Sequence, residues 1–186
     1  MATVNLNPNA GVYNAWTVLG GGDYWTELAG ASDIDGIRHG GQNRICIVEL
    51  DDYSSGGTID SVRFYIRGVL WNTRSGDTDV QVRIGKQDHT NTNTSTYYDE
   101  TVTLTFNAGY AMADYYGTAR TTYDGSNPWH DGSGDGSLDN VRLDINTIPE
   151  DPPGGSRAWI TKAYLEVTYT TTAAVTHNAT FFGTNF

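Results

Sequence analysis

Apolar and polar residues alternate along the segment from Arg157 to Thr170 (RAWITKAYLEVTYT). One set of alternate positions carries Trp159, Ala163, Leu165, Val167 and Tyr169. The other set carries Ile160, Lys162, Tyr164, Glu166 and Thr168. Successive side chains of a strand point to opposite faces, so this pattern predicts a strand with one face in a core and one face in water. It places Trp159 on the inward face.

Further segments show strand patterns of the same kind. Alternate apolar positions are Val62, Phe64 and Ile66; Val80, Val82 and Ile84; Val102, Leu104 and Phe106; and Val141, Leu143 and Ile145. The segment from Ile45 to Leu50 is apolar on both sets of positions, which indicates a strand buried on both faces. Shorter strand candidates are Thr3–Leu6, Trp16–Leu19, Tyr24–Leu28 and Thr118–Tyr123, and the one helix candidate is Ala108–Tyr116.

A chain of roughly eight to ten short strands separated by glycine-, serine- and proline-rich turns predicts an all-β protein. We expect an antiparallel β-sandwich, a jelly roll, with extended N- and C-terminal arms. The 186 residues suit one domain. We expect the sandwich to span residues 1–170 and a C-terminal arm to span residues 171–186.

The predicted arm contains three phenylalanines, Phe181, Phe182 and Phe186. Apolar rings on a chain end that should fray are costly to leave in water. We therefore expect the arm to bind a partner, and another protein subunit fits this role best.

Composition narrows the classes of partner. The net charge is −11, and 22 of the residues are glycine, as expected for a turn-rich β protein. An acidic surface is repelled by nucleic acid and by anionic membranes, so we exclude both as direct partners.

The single cysteine, Cys46, lies inside an apolar strand segment, which predicts a buried and inert thiol. The sequence has no apolar run long enough to span a bilayer and no charged-then-apolar leader. We expect synthesis in a cytoplasm.

Four aspartates crowd the segment from Tyr123 to Asn140, and they are Asp124, Asp131, Asp135 and Asp139. Calcium takes several oxygen ligands from flexible loops, so this set is a candidate calcium site. The spacing does not match an EF-hand loop. The alternative is that the Asp-Gly pairs form turns.

No pattern of residues indicates an active site. The four histidines are scattered, and no metal-ligand spacing, nucleophile elbow or phosphate-binding glycine loop occurs. We predict no catalytic residues and no cofactor apart from the candidate calcium.

The chain has five tryptophans and twelve tyrosines. Exposed aromatic rings on a jelly roll can stack on sugars, and aromatic residues are equally frequent in protein interfaces and cores. Trp25 and Trp129 lie near predicted loops, so we assign them as candidate partner-binding residues, with packing in the core as the alternative.

Three segments together, NPW (Asn127–Trp129), LDNVRLDI (Leu138–Ile145) and ITKAYLEVTYT (Ile160–Thr170), resemble β-sandwich domains of tailed-bacteriophage structural proteins. The resemblance covers nearly the whole domain. In one departure, HDGSGDGS follows the Pro-Trp pair where the family usually carries a tryptophan- and acid-rich stretch.

The resemblance implies a non-enzymatic virion protein made in the host cytoplasm. A capsid decoration or cement protein, oligomeric and bound to the major capsid protein or other virion subunits, fits a single domain of this size. The alternatives are a tail or head-fibre adhesion module or a carbohydrate-binding jelly roll that uses loop aromatics, and a glycan-cleaving enzyme on the same fold.

Overall fold

The computed structural model describes residues 1–30, 32–39, 44–70, 78–86, 88, 96–105, 110–139, 141–147 and 158–171. Within these ranges the chain forms eleven strands and one short helix, α1 (Tyr24–Ala29). The strands are β1 (Ala2–Leu6), β2 (Pro8–Asn14), β3 (Thr17–Leu19), β4 (Gly36–His39), β5 (Ile45–Leu50), β6 (Thr58–Leu70), β7 (Thr78–Gly85), β8 (Thr96–Leu104), β9 (Ala113–Tyr116), β10 (Arg142–Thr147) and β11 (Ala158–Thr170). No described helix is long and apolar enough to cross a membrane.

The strands form two antiparallel sheets. The first sheet has the order β3-β4-β11-β6-β9, and the second has the order β2-β5-β10-β7-β8. From β4 onward, the chain builds β4-β11-β6-β9 in one sheet and β5-β10-β7-β8 in the other, which is the strand order of a jelly roll. The predicted fold class is confirmed.

The N-terminal segment is extended, but it is paired and does not stand away from the domain. Strand β1 runs antiparallel to the end of β11, with Val4 opposite Val167 and Leu6 opposite Leu165. Because β6 pairs along the other side of β11, β1 and β4 share one edge of that strand. The predicted C-terminal arm, with Phe181, Phe182 and Phe186, lies outside the described residues apart from residue 171.

The core lies between the two sheets and is filled by the alternating residues of the central strands. The predicted inward positions that are buried are Val62, Phe64, Ile66, Val80, Val82, Ile84, Val102, Leu104, Val141, Leu143 and Ile145. Phe106 lies outside the described residues. Cys46 is buried and free, as predicted, and burial raises the pKa of its thiol. A thiol held in the protonated form is a poor nucleophile.

A β-bulge in β11 reverses the predicted position of Trp159. Ile160 lies opposite Gly68 while Lys162 lies opposite Arg67, so Thr161 is an extra residue on this strand. An inserted residue exchanges the two faces of a strand. Ala158 and Ile160 are therefore buried on the same side as Ala163 and Leu165. Trp159 points the other way, and the prediction that it faces inward is wrong.

The segment Tyr24–Leu28, predicted as a short strand, is the helix α1. Tyr24 and Leu28 are four residues apart and share a helix face, and Leu28 is fully buried. The Glu27 side chain accepts a hydrogen bond from the amide of Gly22 at 2.8 Å, and this bond fixes the residues that precede the helix. In a sequence of six residues, the 3.6-residue period of a helix cannot be distinguished from the two-residue period of a strand.

Two other predictions also differ from the structure. The helix predicted over Ala108–Tyr116 is not formed in its described part: residues 110–112 belong to no helix or strand, and Ala113–Tyr116 forms β9, which pairs with the edge of β6. The strand predicted over Thr118–Tyr123 is not formed, although Arg120 and Thr122 make isolated bridges. Both errors occur where pairing with a distant strand decides the local conformation.

Candidate functional site

A cleft of about 910 Å³ opens at one end of the second sheet. Gly85, the last residue of β7, lies opposite Thr96 of β8 on one side and Arg142 of β10 on the other. Lys86, Tyr97 and Arg142 therefore meet at this end and line the cleft. The opposite wall is the segment from His130 to Asp139, which we call the glycine loop.

The glycine loop is a closed turn held by its own backbone. The amide of His130 donates to the carbonyl of Gly136 at 3.1 Å, and the amide of Leu138 donates to the carbonyl of His130 at 3.0 Å. Gly132, Gly134 and Gly136 have φ values of 91°, 103° and 86°. These values lie in the left-handed region that side chains other than glycine rarely adopt. The glycines are therefore needed to close the turn.

The side chain of His130 joins the two halves of the glycine loop. Its Nδ1 lies 2.7 Å from the carbonyl oxygen of Asp131, and its Nε2 lies 2.9 Å from the carbonyl oxygen of Asp135. A carbonyl oxygen only accepts, so both ring nitrogens can bond at once only when both carry a proton. These two hydrogen bonds raise the pKa of His130, and the nearby carboxylates of Asp131 and Asp139 raise it further.

Three aromatic rings support the glycine loop from below. Tyr97 lies 5.2 Å from Trp129 and 5.5 Å from Tyr123 between ring centroids, all in edge-to-face contact. The hydroxyl of Tyr97 accepts a hydrogen bond from the amide of Gly136 at 2.9 Å. Burial is the main cause that raises the pKa of Tyr97. The rings thus fix the position of the loop relative to β8.

Trp129 is one of these supporting rings, and the prediction that it contacts a partner is not borne out by its position. Its side chain is 2% exposed and belongs to the core. Its Nε1 donates to the carbonyl of Arg120 at 3.1 Å, which satisfies the indole N–H. An indole buried on this scale offers no surface to a ligand or a second protein.

Trp25 lies on α1, half-buried, with its ring 5.2 Å from that of Tyr24 in edge-to-face contact. It packs against the core cluster and does not line the cleft. Its predicted role in binding a partner stays a prediction, as does the role of the three phenylalanines.

Charged groups of both signs surround the cleft. The ammonium of Lys86 pairs with Asp135 at 2.8 Å and lies 5.7 Å from the centroid of the Tyr97 ring. The hydrogen bond to Asp135 raises the pKa of Lys86. Asp139 accepts a hydrogen bond from the amide of Gly132 at 3.1 Å. Arg142 lies 3.6 Å from Glu49 across the neighbouring strand β5.

The four aspartates predicted to bind calcium are not gathered into one group. Asp124 forms its own turn, in which Oδ1 accepts hydrogen bonds from the amides of Ser126 and Asn127 at 2.9 and 2.7 Å. These bonds, with that from the Asn127 side chain, lower the pKa of Asp124. Asp135 and Asp139 are held as described above.

Among the described residues, no set of three or more histidine, cysteine or acidic side chains is placed to hold a metal ion. The turn-forming alternative fits Asp124 better than the calcium prediction does, because both of its oxygens accept hydrogen bonds within its own turn.

Sequence reasoning found the glycine loop but missed the other half of the cleft. Lys86 and Tyr97 flank a long connection between β7 and β8, and neither forms part of a recognisable motif. The pair Lys86–Asp135 joins residues 49 positions apart. The chain has two lysines, Lys86 and Lys162. This scarcity of lysine is the sequence signal that could have drawn attention to Lys86.

No protein-family model and no curated protein matches the chain. Among solved structures, it is similar to the CBM36-1 domain of a multidomain xylanase from the hindgut metagenome of Trinervitermes trinervoides. The identity is 16%, the match covers 92% of this chain and 100% of that domain, and the TM-score is 0.44. It is also similar to a carbohydrate-binding module CBM36 in complex with calcium and xylotriose, with 12% identity, 90% and 100% coverage, and a TM-score of 0.43. At these values the likeness transfers no ligand or residue role to this chain.

Proposed function

We propose that this chain is a non-catalytic binding module and that its cleft takes a neutral carbohydrate. The observation that carries this proposal is the pairing of Lys86 with Asp135 above the ring of Tyr97, inside a cleft of about 910 Å³. A sugar presents apolar C–H faces and hydroxyls, and an aromatic ring beside a donor and an acceptor is complementary to both.

Sugar hydroxyls both donate and accept hydrogen bonds, so a site for them needs groups of both kinds. Lys86 and Arg142 supply donors, while Asp135 and Asp139 supply acceptors. The cleft volume lies within the range of about 300–1,000 Å³ found for small-molecule sites. The cleft is therefore large enough for a sugar unit and its immediate neighbour.

The glycine loop supports binding because it is already held in place. Backbone hydrogen bonds, the two bonds of His130 and the bond from Gly136 to Tyr97 tie this wall to the sheet. A site that is ordered before the ligand arrives loses less conformational entropy on binding.

The charge of the chain restricts the class of sugar. A net charge of −11 disfavours the approach of polyanions such as acidic polysaccharides. A neutral glycan avoids this repulsion and can bond to acidic and basic groups alike. We therefore infer a neutral ligand.

The arrangement favours binding over hydrolysis. Glycoside hydrolysis needs two carboxyl groups that face each other across the bond to be broken. Three carboxylates of the described residues line the cleft, those of Asp88, Asp135 and Asp139. Asp135 is paired with Lys86, and Asp139 accepts a hydrogen bond from the amide of Gly132, so both are held as ligand acceptors and do not face each other as a catalytic pair.

The virion role stays a prediction. A cement or decoration function, the capsid protein as partner and the location in a virion all depend on the resemblance and on the C-terminal arm, which lies outside the described residues. A carbohydrate-binding module on a phage particle would satisfy both interpretations, with the sandwich as the adhesion module.

The two lysines provide a matched test of the proposed site. Each ammonium lies 5.7 Å from the centroid of a tyrosine ring, Lys86 over Tyr97 in the cleft and Lys162 over Tyr164 on the first sheet. A neutral glycan found on an array should bind Lys86→Ala about tenfold more weakly, since a hydrogen bond with a charged group contributes about 1.5–3 kcal/mol. Lys162→Ala should bind like the wild type in calorimetry. Equal affinity of all three proteins would refute the assignment of the cleft.

A further inference from the structure

A row of tyrosines crosses the outer face of the first sheet. Tyr116 of β9 lies opposite Tyr65 of β6, and Tyr65 lies opposite Tyr164 of β11. The ring centroids are 5.1 Å and 4.3 Å apart along the row. The neighbouring residues Phe64 and Leu165 point into the core, so the three rings stand on the side away from it. Tyr65 and Tyr164 are covered by their neighbours on this side, and Tyr116 is the exposed ring of the row.

Charged side chains flank the row of tyrosines in balanced pairs. Arg67 bonds to Asp114 at 2.6 Å and to Asp33 at 2.7 Å. Arg63 bonds to Glu166 at 2.6 Å. With Lys162, the face carries three basic and three acidic residues, Arg63, Arg67, Lys162, Asp33, Asp114 and Glu166, so its net charge is 3 − 3 = 0. We call this surface the neutral face.

The neutral face contrasts with the remainder of the chain. The whole chain has a net charge of −11, so the residues outside the neutral face also sum to −11. Two copies of such a chain repel each other through most of their surface. The neutral face is one surface on which two copies can approach without this repulsion.

One exposed ring lies on this surface, and one exposed aliphatic side chain lies in the adjoining loop. Tyr116 is 48% exposed, and the Arg63 guanidinium lies 4.4 Å above its ring centroid. Ile34 is 75% exposed and follows Asp33, which Arg67 holds against the sheet. Tyrosine and arginine are enriched in protein interfaces and dominate their binding energy. The neutral face thus has the composition of an interface.

We propose that the neutral face binds a second copy of this chain through a two-fold axis. A two-fold interface places the same patch on both partners, so the patch must be complementary to itself. The charges of the neutral face meet this condition, because a patch with equal numbers of basic and acidic groups is electrostatically compatible with its own copy. Tyr116 and Ile34 become buried at the contact. This surface lies on the first sheet and is separate from the cleft, so it goes beyond the proposed carbohydrate binding.

Light scattering coupled to size exclusion tests the neutral face. The intact chain should be a dimer at micromolar concentrations, and Tyr116→Glu should be a folded monomer because it places a buried charge in the interface. Tyr13→Glu is the control, since Tyr13 is 39% exposed on β2 of the second sheet. The control should remain a dimer.

A second variant, Ile34→Asp, tests the same interface in case Tyr116→Glu does not fold. Ile34 lies in a loop and is more exposed than Tyr116, so the fold should tolerate its substitution. It should also give a monomer with an unchanged melting temperature. A monomeric wild type, a trimer, a dimer that survives both substitutions, or a Tyr13→Glu monomer would each overturn the proposal.

Discussion

Raising the pH should remove one of the two hydrogen bonds that His130 donates inside the glycine loop. Both ring nitrogens face carbonyl oxygens, at 2.7 Å from Asp131 and 2.9 Å from Asp135. The neutral ring has one N–H, so one of these carbonyls then faces a lone pair. The groups around the ring are the carboxylates of Asp131 and Asp139, which favour the charged form.

The sign of the pH effect follows from the raised pKa of His130. A group whose pKa is raised in the folded state contributes its full stabilisation at pH values below the ordinary histidine pKa. This stabilisation is lost as the pH rises through the pKa of the folded state. A hydrogen bond from a charged donor contributes about 1.5–3 kcal/mol. We expect the free energy of unfolding to fall by about 2 kcal/mol across this range, which is about thirtyfold in the unfolding equilibrium.

Urea unfolding of the wild type and of His130→Gln, each at a mildly acidic and a mildly alkaline pH, measures this effect. The glutamine is neutral at every pH, and every other ionisable group is common to both proteins, so the contributions of those groups cancel in the difference. The wild type should lose about 2 kcal/mol more than the variant. The same pH dependence in both proteins, or a His130 ring that titrates by NMR at or below the ordinary histidine value, would refute the reasoning.

Three further predictions concern packing, calcium and the C-terminal arm. In Gly36→Ala the new Cβ would lie 2.3 Å from the carbonyl oxygen of Ile160 at a φ of 123°, so we expect a loss of about 2–4 kcal/mol by urea unfolding. Gly125→Ala, with positive φ but open space, should lose about 1 kcal/mol, and equal losses would contradict the steric argument. The melting temperature should be the same in millimolar calcium as in chelator. A calcium site filled at one hundred times its Kd would instead add about 2.7 kcal/mol to the free energy of unfolding. Removal of residues 171–186 should leave the sandwich folded by circular dichroism while abolishing attachment to purified capsids, and an unfolded product would sink the arm hypothesis.

The alternation of side chains was sufficient to predict the sandwich and most of its core. Val62, Phe64 and Ile66 are buried as their spacing predicts, because a strand in a half-buried sheet imposes a period of two. The same rule failed at Trp159, since the bulge at Thr161 depends on how β11 pairs with β6 and leaves no trace in the spacing. The alternation of side chains therefore predicts which face of the sheet a residue occupies only within a stretch of strand that contains no bulge.

The candidate cleft was predictable only in part for a similar reason. The aspartate–glycine segment stood out by composition, and it forms the glycine loop of the site. Its other components, Lys86 and Tyr97, come from the ends of β7 and β8 and reach the loop only through the register of the second sheet. Trp129 could not be assigned from the sequence, because a ring beside a loop can pack inward or outward equally well.

Amide chemical-shift mapping tests the proposed binding site most directly. A neutral oligosaccharide selected on a glycan array is titrated into the isotope-labelled chain, and the amide shifts of both sheets are followed. We predict that the shifts concentrate at Lys86, Tyr97 and the amides of Gly132, Gly134 and Gly136, with no change around Tyr65 and Tyr116 on the first sheet. Shifts confined to the first sheet would contradict the account. So would a set of neutral glycans none of which shifts the amide signals of the glycine loop.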